Sequence, residues 1–353
     1  MHFAISGLTM NKVKQKLNKF LQLLSPLQRV VIQAHDFPDH DAIASAYGLA
    51  TLLQAMGMNT LIVYNGHVDR ISLANMIEWL DIPVIHCNKA KLTAHDKIIT
   101  VDGCIGEKNV TDIQGEEIAV IDHHNVTPPK GLWYCDVRSN YGATATIIYE
   151  YFSSLNIDIP EKVATALLVG LNIDTANLTR GFCNADLKAF LGLNQVADLA
   201  LVNKICRNSL IQSELKSFQH VCDNVESNDG IAIVLLKEPC AKNLLGVLAD
   251  FLLSVNEYDI VIVAMKFNQA IQLSLRSECP KVNVGLLLRQ TLNQKQRGFG
   301  GGHAHMAGGM ILNDKSHHFF SNEHAHFSPF VNAIRQLRAE KNCSSQASEI
   351  VIC

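Results

Sequence analysis

The chain has 353 residues, of which 48% are hydrophobic and 18% charged, so it can bury a sizeable core and is long enough for two domains. Its formal net charge of −3 argues against a broad binding surface for long duplex DNA, but not against a pocket for a short nucleotide. No apolar run reaches the ~18 residues of a membrane span, and residues 1–10 lack the layout of a secretory signal. The 10 cysteines form no CxxC pair, which predicts reduced thiols, a cytoplasmic location and no cysteine-bound zinc.

Short apolar runs alternate with amphipathic segments in the first half of the chain. Helical spacing of apolar residues predicts a first helix from Val13 to Leu24, before Pro26. The predicted strands are Val30–Ala34, Leu61–Tyr64, Lys97–Val101 and Ile118–Ile121, and the further predicted helices are Ala42–Met56, Ala143–Phe152 and Glu161–Ile173. This alternation is typical of a doubly wound α/β domain with a mainly parallel sheet.

After about residue 186 the sequence becomes more polar and helical, as far as about residue 226. A second set of strands is then predicted at Ile231–Leu236, Ile260–Phe267, Ala270–Arg276 and Met310–Leu312, with a helix at Val282–Leu292. We therefore predict a catalytic domain at 1–190, a helical linker at 191–226, a smaller α/β domain at 227–340 and a C-terminal tail at 341–353.

Acidic and imidazole side chains follow three of the first four predicted strands directly. They are His35, Asp39 and Asp41 after the first strand, Asp102 after the third, and Asp122, His123 and His124 after the fourth. Asp174 follows a predicted helix. Because ligands of open α/β sheets bind beyond the carboxyl ends of the strands, we expect these side chains to converge in one crevice.

Converging carboxylates repel one another unless a cation neutralises them. A set of oxygen and imidazole ligands without thiolate favours Mn²⁺ or Mg²⁺ over a structural zinc site. Alternating acids such as Asp39 and Asp41 can send one ligand to each of two ions, and two metals ~3.5–4 Å apart suit in-line phosphoryl displacement. Each motif alone is more often a polar turn, but their ordered occurrence at strand ends favours a joint metal site.

Consecutive glycines in the second half of the chain predict a flexible loop. Gly300, Gly301 and Gly302 permit positive φ angles, so their amides can form an anion-binding nest with His303 beside it. Arg276, next to Ser277 at a strand end, can hold a phosphate in bidentate fashion. Taken alone, these residues are more often a loop and an arginine that bind only solvent.

With these residues, the chain resembles the DHH phosphoesterase family, in the subgroup that carries a C-terminal DHHA1 domain. The matching motifs are His35-x-x-Pro38-Asp39-x-Asp41-Ala42-Ile43-x-Ser45, Val101-Asp102-Gly103, Asp122-His123-His124, Gly170-x-x-x-Asp174-Thr175, Ser274-Leu275-Arg276-Ser277 and Gly300-Gly301-Gly302-His303-x-x-Met306-Ala307-Gly308. The likeness runs from about residue 28 to 312. His40, Ala44 and Met306 stand where glycine or another small residue is usual in the family.

The resemblance implies two Mn²⁺ ions, with Mg²⁺ as the substitute. One ion would be held by His35, Asp39 and Asp102, and the other by Asp41, Asp102, His123 and Asp174. Asp122 would orient the ligands and His124 would face the substrate phosphate, so these two residues and Asp102 are the expected catalytic residues. The far end of a nucleotide would be bound by Arg276, Ser277, Gly300, Gly301, Gly302 and His303.

The implied activity is hydrolysis of nano-RNA, of dinucleotides such as pGpG, or of 3′-phosphoadenosine 5′-phosphate. The implied mechanism is in-line attack by a hydroxide that bridges the two metals, as in an oligoribonuclease or a bisphosphate nucleotidase. Short single-stranded RNA or DNA is the expected partner, without membrane or long duplex DNA, and family members often form homodimers. The alternatives are an exopolyphosphatase or pyrophosphatase on the same catalytic domain, and a non-catalytic nucleotide sensor. We interpret one further cluster of histidines as part of a solvated tail segment rather than as another metal site: His317, His318, His324 and His326.

Overall fold

The structure is a computed structural model that describes residues 14–27, 29–107, 109–241, 243–267, 270–293, 297–312 and 327–346. The chain divides into two compact units, Met1–Ser209 and Leu210–Cys353. No helix in these described ranges combines the length and the apolarity needed to cross a lipid bilayer. The histidine-rich segment 317–326 lies outside the described residues.

The first unit is built on a sheet of six parallel strands. In chain order they are β1 (Val30–Ala34), β2 (Thr60–Tyr64), β3 (Val84–His86), β4 (Lys97–Val101), β5 (Glu116–Asp122) and β6 (Tyr134–Val137). Their order in the sheet is β3-β2-β1-β4-β5-β6, and every neighbouring pair is parallel. The predicted doubly wound parallel sheet is confirmed. Strand order reverses between β1 and β4, which is where sheets of this kind bind ligands.

Seven helices pack around this sheet in the described residues. They are α1 (14–24), α2 (His40–Ala55), α3 (Ile71–Trp79), α4 (Thr144–Leu155), α5 (Glu161–Asp174), α6 (Asn184–Asn194) and α7 (Leu199–Arg207). Helix α2 packs closely against α4 and α5 because it carries small residues. A β-carbon at Gly48 would lie 2.8 Å from Ile148 Cγ2 and 3.2 Å from Leu167 Cδ2. This close packing fixes the start of α2 beside the ends of α4 and α5.

The second unit is a smaller α/β domain, as predicted. Its strands are β7 (Glu226–Asn228), β8 (Ile231–Leu236), β9 (Ile260–Phe267), β10 (Ala270–Ser277), β11 (Gly298–Gly302) and β12 (Met306–Leu312), in the order β11-β12-β10-β9-β8-β7. Only β8 and β9 are parallel. Its described helices are α8 (Leu215–Asn224), α9 (Leu244–Leu253), α10 (Val284–Leu288) and α11 (Ser328–Gln346). Alternate residues of β9 face two cores, one with α10 and α11 and the other with α9.

The helical segment predicted as a linker, 191–226, divides between the two units. Helix α7 belongs to the first unit and α8 to the second. The predicted helix at Val282–Leu292 is shorter, because α10 ends at Leu288 and a π-helical turn follows at Arg289–Asn293. Helix α11 continues into the segment predicted as a tail.

The predicted glycine loop is wrong in its conformation, because these glycines form β11, an edge strand paired antiparallel with β12. Gly300 lies opposite Gly309. The two backbones lie close together because glycine occurs in both strands: a β-carbon on Gly300 would be 3.1 Å from the Gly308 carbonyl oxygen. Successive amides of a strand point in opposite directions, so this segment does not form a nest of converging amides.

Candidate metal centre

The predicted metal ligands lie at the carboxyl edge of the parallel sheet. Residues His35 and Asp102 follow β1 and β4 directly, and His123 follows Asp122, the last residue of β5. The remaining ligands come from helix ends: Asp39 is the N-cap of α2, Asp41 lies in its first turn and Asp174 is the last residue of α5. The structure therefore brings all six predicted ligands together, from both sides of the strand-order reversal.

His35, Asp39 and Asp102 form the first ligand group. The Nε2 atom of His35 lies 3.7 Å from Asp39 Oδ2 and 3.7 Å from Asp102 Oδ2. Its Nδ1 atom lies 2.9 Å from the backbone carbonyl oxygen of Asp36, which can only accept, so Nδ1 is the donor. In the neutral ring, the lone pair of Nε2 is then directed towards the two carboxylates. This is the arrangement of a metal-binding histidine.

Asp41, His123 and Asp174 form the second group. The Nε2 atom of His123 lies 3.4 Å from Asp174 Oδ2, 3.5 Å from Asp102 Oδ1 and 4.0 Å from Asp41 Oδ2. The Nδ1 atom of His123 donates to the carbonyl oxygen of Tyr141 at 3.2 Å, which fixes the ring orientation in the same way.

Asp102 joins the two groups, because Oδ2 faces His35 and Oδ1 faces His123. The residue is fully buried, and Oδ2 accepts no hydrogen bond from the described residues. Thr144 Oγ1 donates to Oδ1 at 2.7 Å. A buried carboxylate oxygen without a donor is costly unless a cation meets it. The residues present therefore fit a pair of metal ions that share the Asp102 carboxylate.

The acidic groups carry more negative charge than the buried site can hold alone. Burial, together with Asp102 and Asp174, raises the pKa of Asp41 well above its usual value. Burial and the charge of Asp39 raise the pKa of Asp174 to about 6. Burial would lower the pKa of His35, but the Asp39 and Asp102 carboxylates outweigh it and raise that pKa to about 10. Each shift is in the direction expected for a buried site whose ligands are shaped to hold cations.

Comparison with protein families agrees with the site. The model of the DHH family, N-terminal domain, matches residues 29–171, and the model of the DHHA1 domain matches residues 228–326. The chain belongs to the DHH family, in the subgroup with a DHHA1 domain. The DHH match contains the sheet and five of the six ligands, Asp174 lies just beyond its end, and the DHHA1 match falls in the second unit.

Several relatives share part or all of this organisation. An uncharacterized protein of Methanocaldococcus jannaschii is 29% identical over 284 residues, which are 80% of this chain and 58% of that protein. A Streptococcus thermophilus protein named "Probable manganese-dependent inorganic pyrophosphatase" is 28% identical over 180 residues, 50% of this chain and 57% of that protein. The chain thus spans less than two thirds of the length of these curated relatives. The crystal structure of an exopolyphosphatase-related protein from Bacteroides fragilis has the same fold, with a TM-score of 0.70, 17% identity and coverage of 92% of this chain and 97% of that chain.

The Asp122–His124 pair of the DHH domain lies beside the shared carboxylate. Asp122 Oδ1 accepts from His124 Nδ1 at 2.8 Å and from the His124 amide at 3.0 Å. Asp122 is buried, and the His124 side chain is 32% exposed compared with 1% for His123. Burial and His123 lower the pKa of His124, but Asp122 and Asp102 outweigh them and raise it. Asp122 thus favours the charged form of the imidazole at the accessible side of the centre.

Sequence reasoning missed the N-terminus of α4, which holds Asp41. The amides of Thr144 and Ala145 donate to Asp41 Oδ2 and Oδ1 at 2.7 and 2.9 Å. Free amides at the start of a helix bind carboxylates well. A glycine before the predicted helix and a threonine in its first turn were the available signal, but they do not show which carboxylate the helix meets. The predicted motif glycine, Gly170, allows close approach on the other side: a β-carbon there would be 2.9 Å from Asp41 Cα.

In the DHHA1 domain, the Arg276 guanidinium is held by the protein. Four of its five N–H groups donate, two of them to the Asp250 carboxylate at 2.7 and 3.3 Å and two to Ser274 Oγ and the Leu275 carbonyl at 3.1 and 3.0 Å. A phosphate bound here would meet one remaining N–H rather than the bidentate pair that we expected. Gly246 permits this arrangement, since a β-carbon there would lie 2.7 Å from Arg276 Nη2.

The other predicted substrate residues lie near the same end of this second sheet. The Ser277 hydroxyl is buried and accepts from the Cys279 amide at 3.1 Å. The Gly300 amide donates to Asn293 Oδ1 at 2.8 Å. His303 directly follows β11, and its amide donates to the Met306 carbonyl at 2.8 Å. Gly301 and Gly302 pair with β12.

Proposed function

We propose that the chain is a two-metal phosphoesterase that hydrolyses short oligonucleotides or small nucleotides. The buried Asp102 carboxylate carries the proposal, because each of its oxygens faces one histidine of a separate ligand group. Two ligand groups that share one carboxylate suit two adjacent cations, and paired cations suit in-line displacement at phosphorus. Membership of the DHH family supports the same reaction class.

The two ligand groups assign the ions. We assign one to His35, Asp39 and Asp102, and the other to Asp41, Asp102, His123 and Asp174. The absence of thiolate from this set favours Mn²⁺, with Mg²⁺ as the substitute, and the name of the Streptococcus relative supports manganese. When bound, the two ions would neutralise phosphate oxygens and make water more acidic.

The protein's own groups orient the substrate and move a proton. His124 would donate a proton from Nε2 to the leaving oxygen, since Asp122 holds the opposite side of its ring through Nδ1. The Asp122 carboxylate positions that ring and favours its charged form. In the DHHA1 domain, Arg276 would give one charge-assisted hydrogen bond to a phosphate of the substrate, with His303 and the glycine strand as the neighbouring contacts.

A second candidate is hydrolysis of inorganic pyrophosphate, which the name of the Streptococcus relative supports, with polyphosphate as a related substrate to be tested. The decisive experiment is a product screen with the Mn²⁺-loaded protein. The substrates are oligonucleotides from dinucleotides to decamers, 3′-phosphoadenosine 5′-phosphate, pyrophosphate and long polyphosphate. We expect the shortest nucleotides to be cleaved, and Asp102→Asn to be inactive on all substrates. Cleavage of pyrophosphate or polyphosphate alone would overturn the nucleotide proposal.

A further inference from the structure

An aromatic residue with an unusual backbone lies between two ligands of the first metal group. Phe37 follows His35 by two residues and precedes Asp39 by two residues, and its φ angle is 52°. Bulky side chains rarely adopt this left-handed conformation. Such strain persists only where surrounding contacts fix it, and it concentrates at functional sites.

Contacts on both sides fix the backbone of this segment. The Asp36 carboxylate accepts from the Thr111 amide at 3.2 Å and from its hydroxyl at 2.6 Å, and the Asp36 amide donates to the Asn109 carbonyl at 2.7 Å. The Phe37 amide donates to the Asn65 carbonyl at 3.0 Å, and Asn65 Nδ2 donates to Thr111 Oγ1 at 2.9 Å. The loops after β1, β2 and β4 therefore hold Phe37 jointly in its conformation.

This backbone places the Phe37 ring against a glycine and a histidine. A β-carbon at Gly66 would lie 3.0 Å from Cγ and Cδ1 of the ring, so only glycine admits the ring here. The ring of His67 stands edge-on to it, with centroids 6.1 Å apart and an interplanar angle of 63°. Phe37 is half-buried and His67 is exposed. An aromatic pair with accessible surface therefore stands at the edge of the metal centre.

The chain length limits how far this pair lies from the metal ligands. Two residues span at most about 7 Å, so the Phe37 Cα is within that distance of the Cα atoms of His35 and Asp39. This separation is comparable to the reach from a phosphate to the base of the same nucleotide. An inorganic phosphate offers nothing for an aromatic face to bind, whereas every nucleobase has a π-face that can stack.

We propose that Phe37, flanked by His67, is a stacking platform for the nucleobase next to the phosphate that is cleaved. The inference rests on the proposed function and narrows it, because it requires a nucleotide and assigns the base nearest the metals to the DHH domain. Stacking is tolerant of base identity, so the platform selects for the presence of a base rather than for its sequence.

The test measures stacking directly. The ligand is a dinucleotide with 2-aminopurine at either position and a methylenephosphonate linkage that cannot be hydrolysed, added to the Mn²⁺-loaded protein. Stacking on Phe37 is expected to quench the fluorescence at one of the two positions. Phe37→Leu should remove this quenching and weaken binding about tenfold, while Phe37→Tyr should retain both. A ligand that is abasic at that position should bind the wild type and Phe37→Leu equally.

Two further variants distinguish the loss of the Phe37 ring from a general loss of folding. Phe37→Asn removes the ring but tolerates a positive φ angle, so it should lose quenching while its Mn²⁺ affinity stays unchanged. Trp133→Leu removes another exposed aromatic ring, and this variant should quench the 2-aminopurine fluorescence as the wild type does. Trp133 directly precedes β6, so it lies at the amino edge of the sheet and not at the carboxyl edge with the metal ligands. The platform is refuted if Phe37→Asn retains quenching, or if Phe37→Leu weakens base-bearing and abasic ligands equally.

Turnover of an unmodified dinucleotide separates this inference from the proposed function. Cleavage by the wild type with quenching retained in Phe37→Asn would overturn the platform and leave the function standing. Phe37-dependent quenching without cleavage would support the platform and overturn the function.

Discussion

Removal of the Asp102 carboxylate should distinguish a two-metal centre with a shared ligand from two independent metal sites. Exchange for asparagine keeps the side-chain volume but removes the charge that both groups share. We expect Asp102→Asn to bind fewer than two Mn²⁺ ions and to lose more than about 100-fold in turnover, since even partners outside the ligand shell cost 10–100-fold. Metal content by elemental analysis and initial rates measure this.

Asp96→Asn is the matched control for Asp102→Asn. Asp96 is also buried, but it precedes β4 at the other edge of the sheet and pairs with Arg29 at 2.6 and 2.8 Å. That variant should keep both ions. Two tightly bound ions in Asp102→Asn would contradict the shared-ligand assignment.

Asp174 makes the affinity for metal depend on pH. Its pKa is raised to about 6 by burial and by the charge of Asp39, so below that pH the metal-free site holds a proton on it. A raised pKa of an acid means that the proton stabilises the fold at low pH and that this contribution is lost as pH rises through 6. Mn²⁺ must displace that proton, so its affinity should fall at least about tenfold per pH unit below 6.

Isothermal titration of Mn²⁺ between pH 5 and 8 measures the Asp174 effect. Asp174→Asn should bind Mn²⁺ more weakly at pH 8. Its Mn²⁺ affinity should also depend less steeply on pH, because position 174 then carries no carboxyl proton for the ion to displace. A pH dependence identical to that of the wild type would rule out Asp174 as a ligand.

At the scale of elements, the site depends on how closely α5 approaches α2. At Gly170 a new β-carbon would lie 2.9 Å from Asp41 Cα and 3.0 Å from Asp41 Oδ1, and the backbone atom cannot move unless α2 shifts. Gly170→Ala should therefore weaken Mn²⁺ binding. Overpacking costs about 1–3 kcal/mol, part of which the better helix propensity of alanine offsets. Calorimetric titration and denaturant unfolding measure the two effects separately.

Gly48→Ala is the control for this element. It overpacks the same helix, α2, but against Ile148 and Leu167 rather than a ligand. It should lower the free energy of unfolding and leave the Mn²⁺ affinity unchanged. An equal loss of affinity in both variants would mean that general disturbance of α2, rather than contact with Asp41, weakens the site.

The parallel sheet was predictable because its inner strands are buried on both faces. Continuous apolar runs marked β1 and β4 at their observed bounds. The metal ligands were predictable for a related reason: acidic residues directly after such runs must lie at the carboxyl edge. The local sequence pattern was enough to predict both features, because burial of the strands and their common direction together fix where the ligands lie.

The other parts of the site depend on contacts that no local pattern encodes. The role of Thr144 requires the position of the α4 N-terminus relative to Asp41, and the pairing of Asp250 with Arg276 joins two separate elements. The edge strand β11 has the composition of a flexible loop, and only its pairing with the glycines of β12 makes it a strand.

At the scale of the whole molecule, the metal centre belongs to one of two units with separate cores. All six ligands come from the first unit, and the cores of the second unit contain residues only from that unit. The ions would join β1, β4, β5, α2 and α5, which are otherwise linked through packing and backbone pairing. Metal binding should therefore stabilise the first unit selectively.

Hydrogen exchange after chelation and after return of Mn²⁺ tests this selectivity. At 100 times the dissociation constant, one bound ion adds about 2.7 kcal/mol to the stability of the state that binds it. Peptides that cover 97–122, which contain β4 and β5, should become protected, whereas peptides that cover 260–277, which contain β9 and β10, should exchange at the same rate with and without metal. Asp102→Asn should reduce the gain in protection, and lowering the pH below 6 should diminish it in the wild type as Asp174 takes up its proton. Equal protection of both regions would show that the metal stabilises the molecule as one cooperative unit.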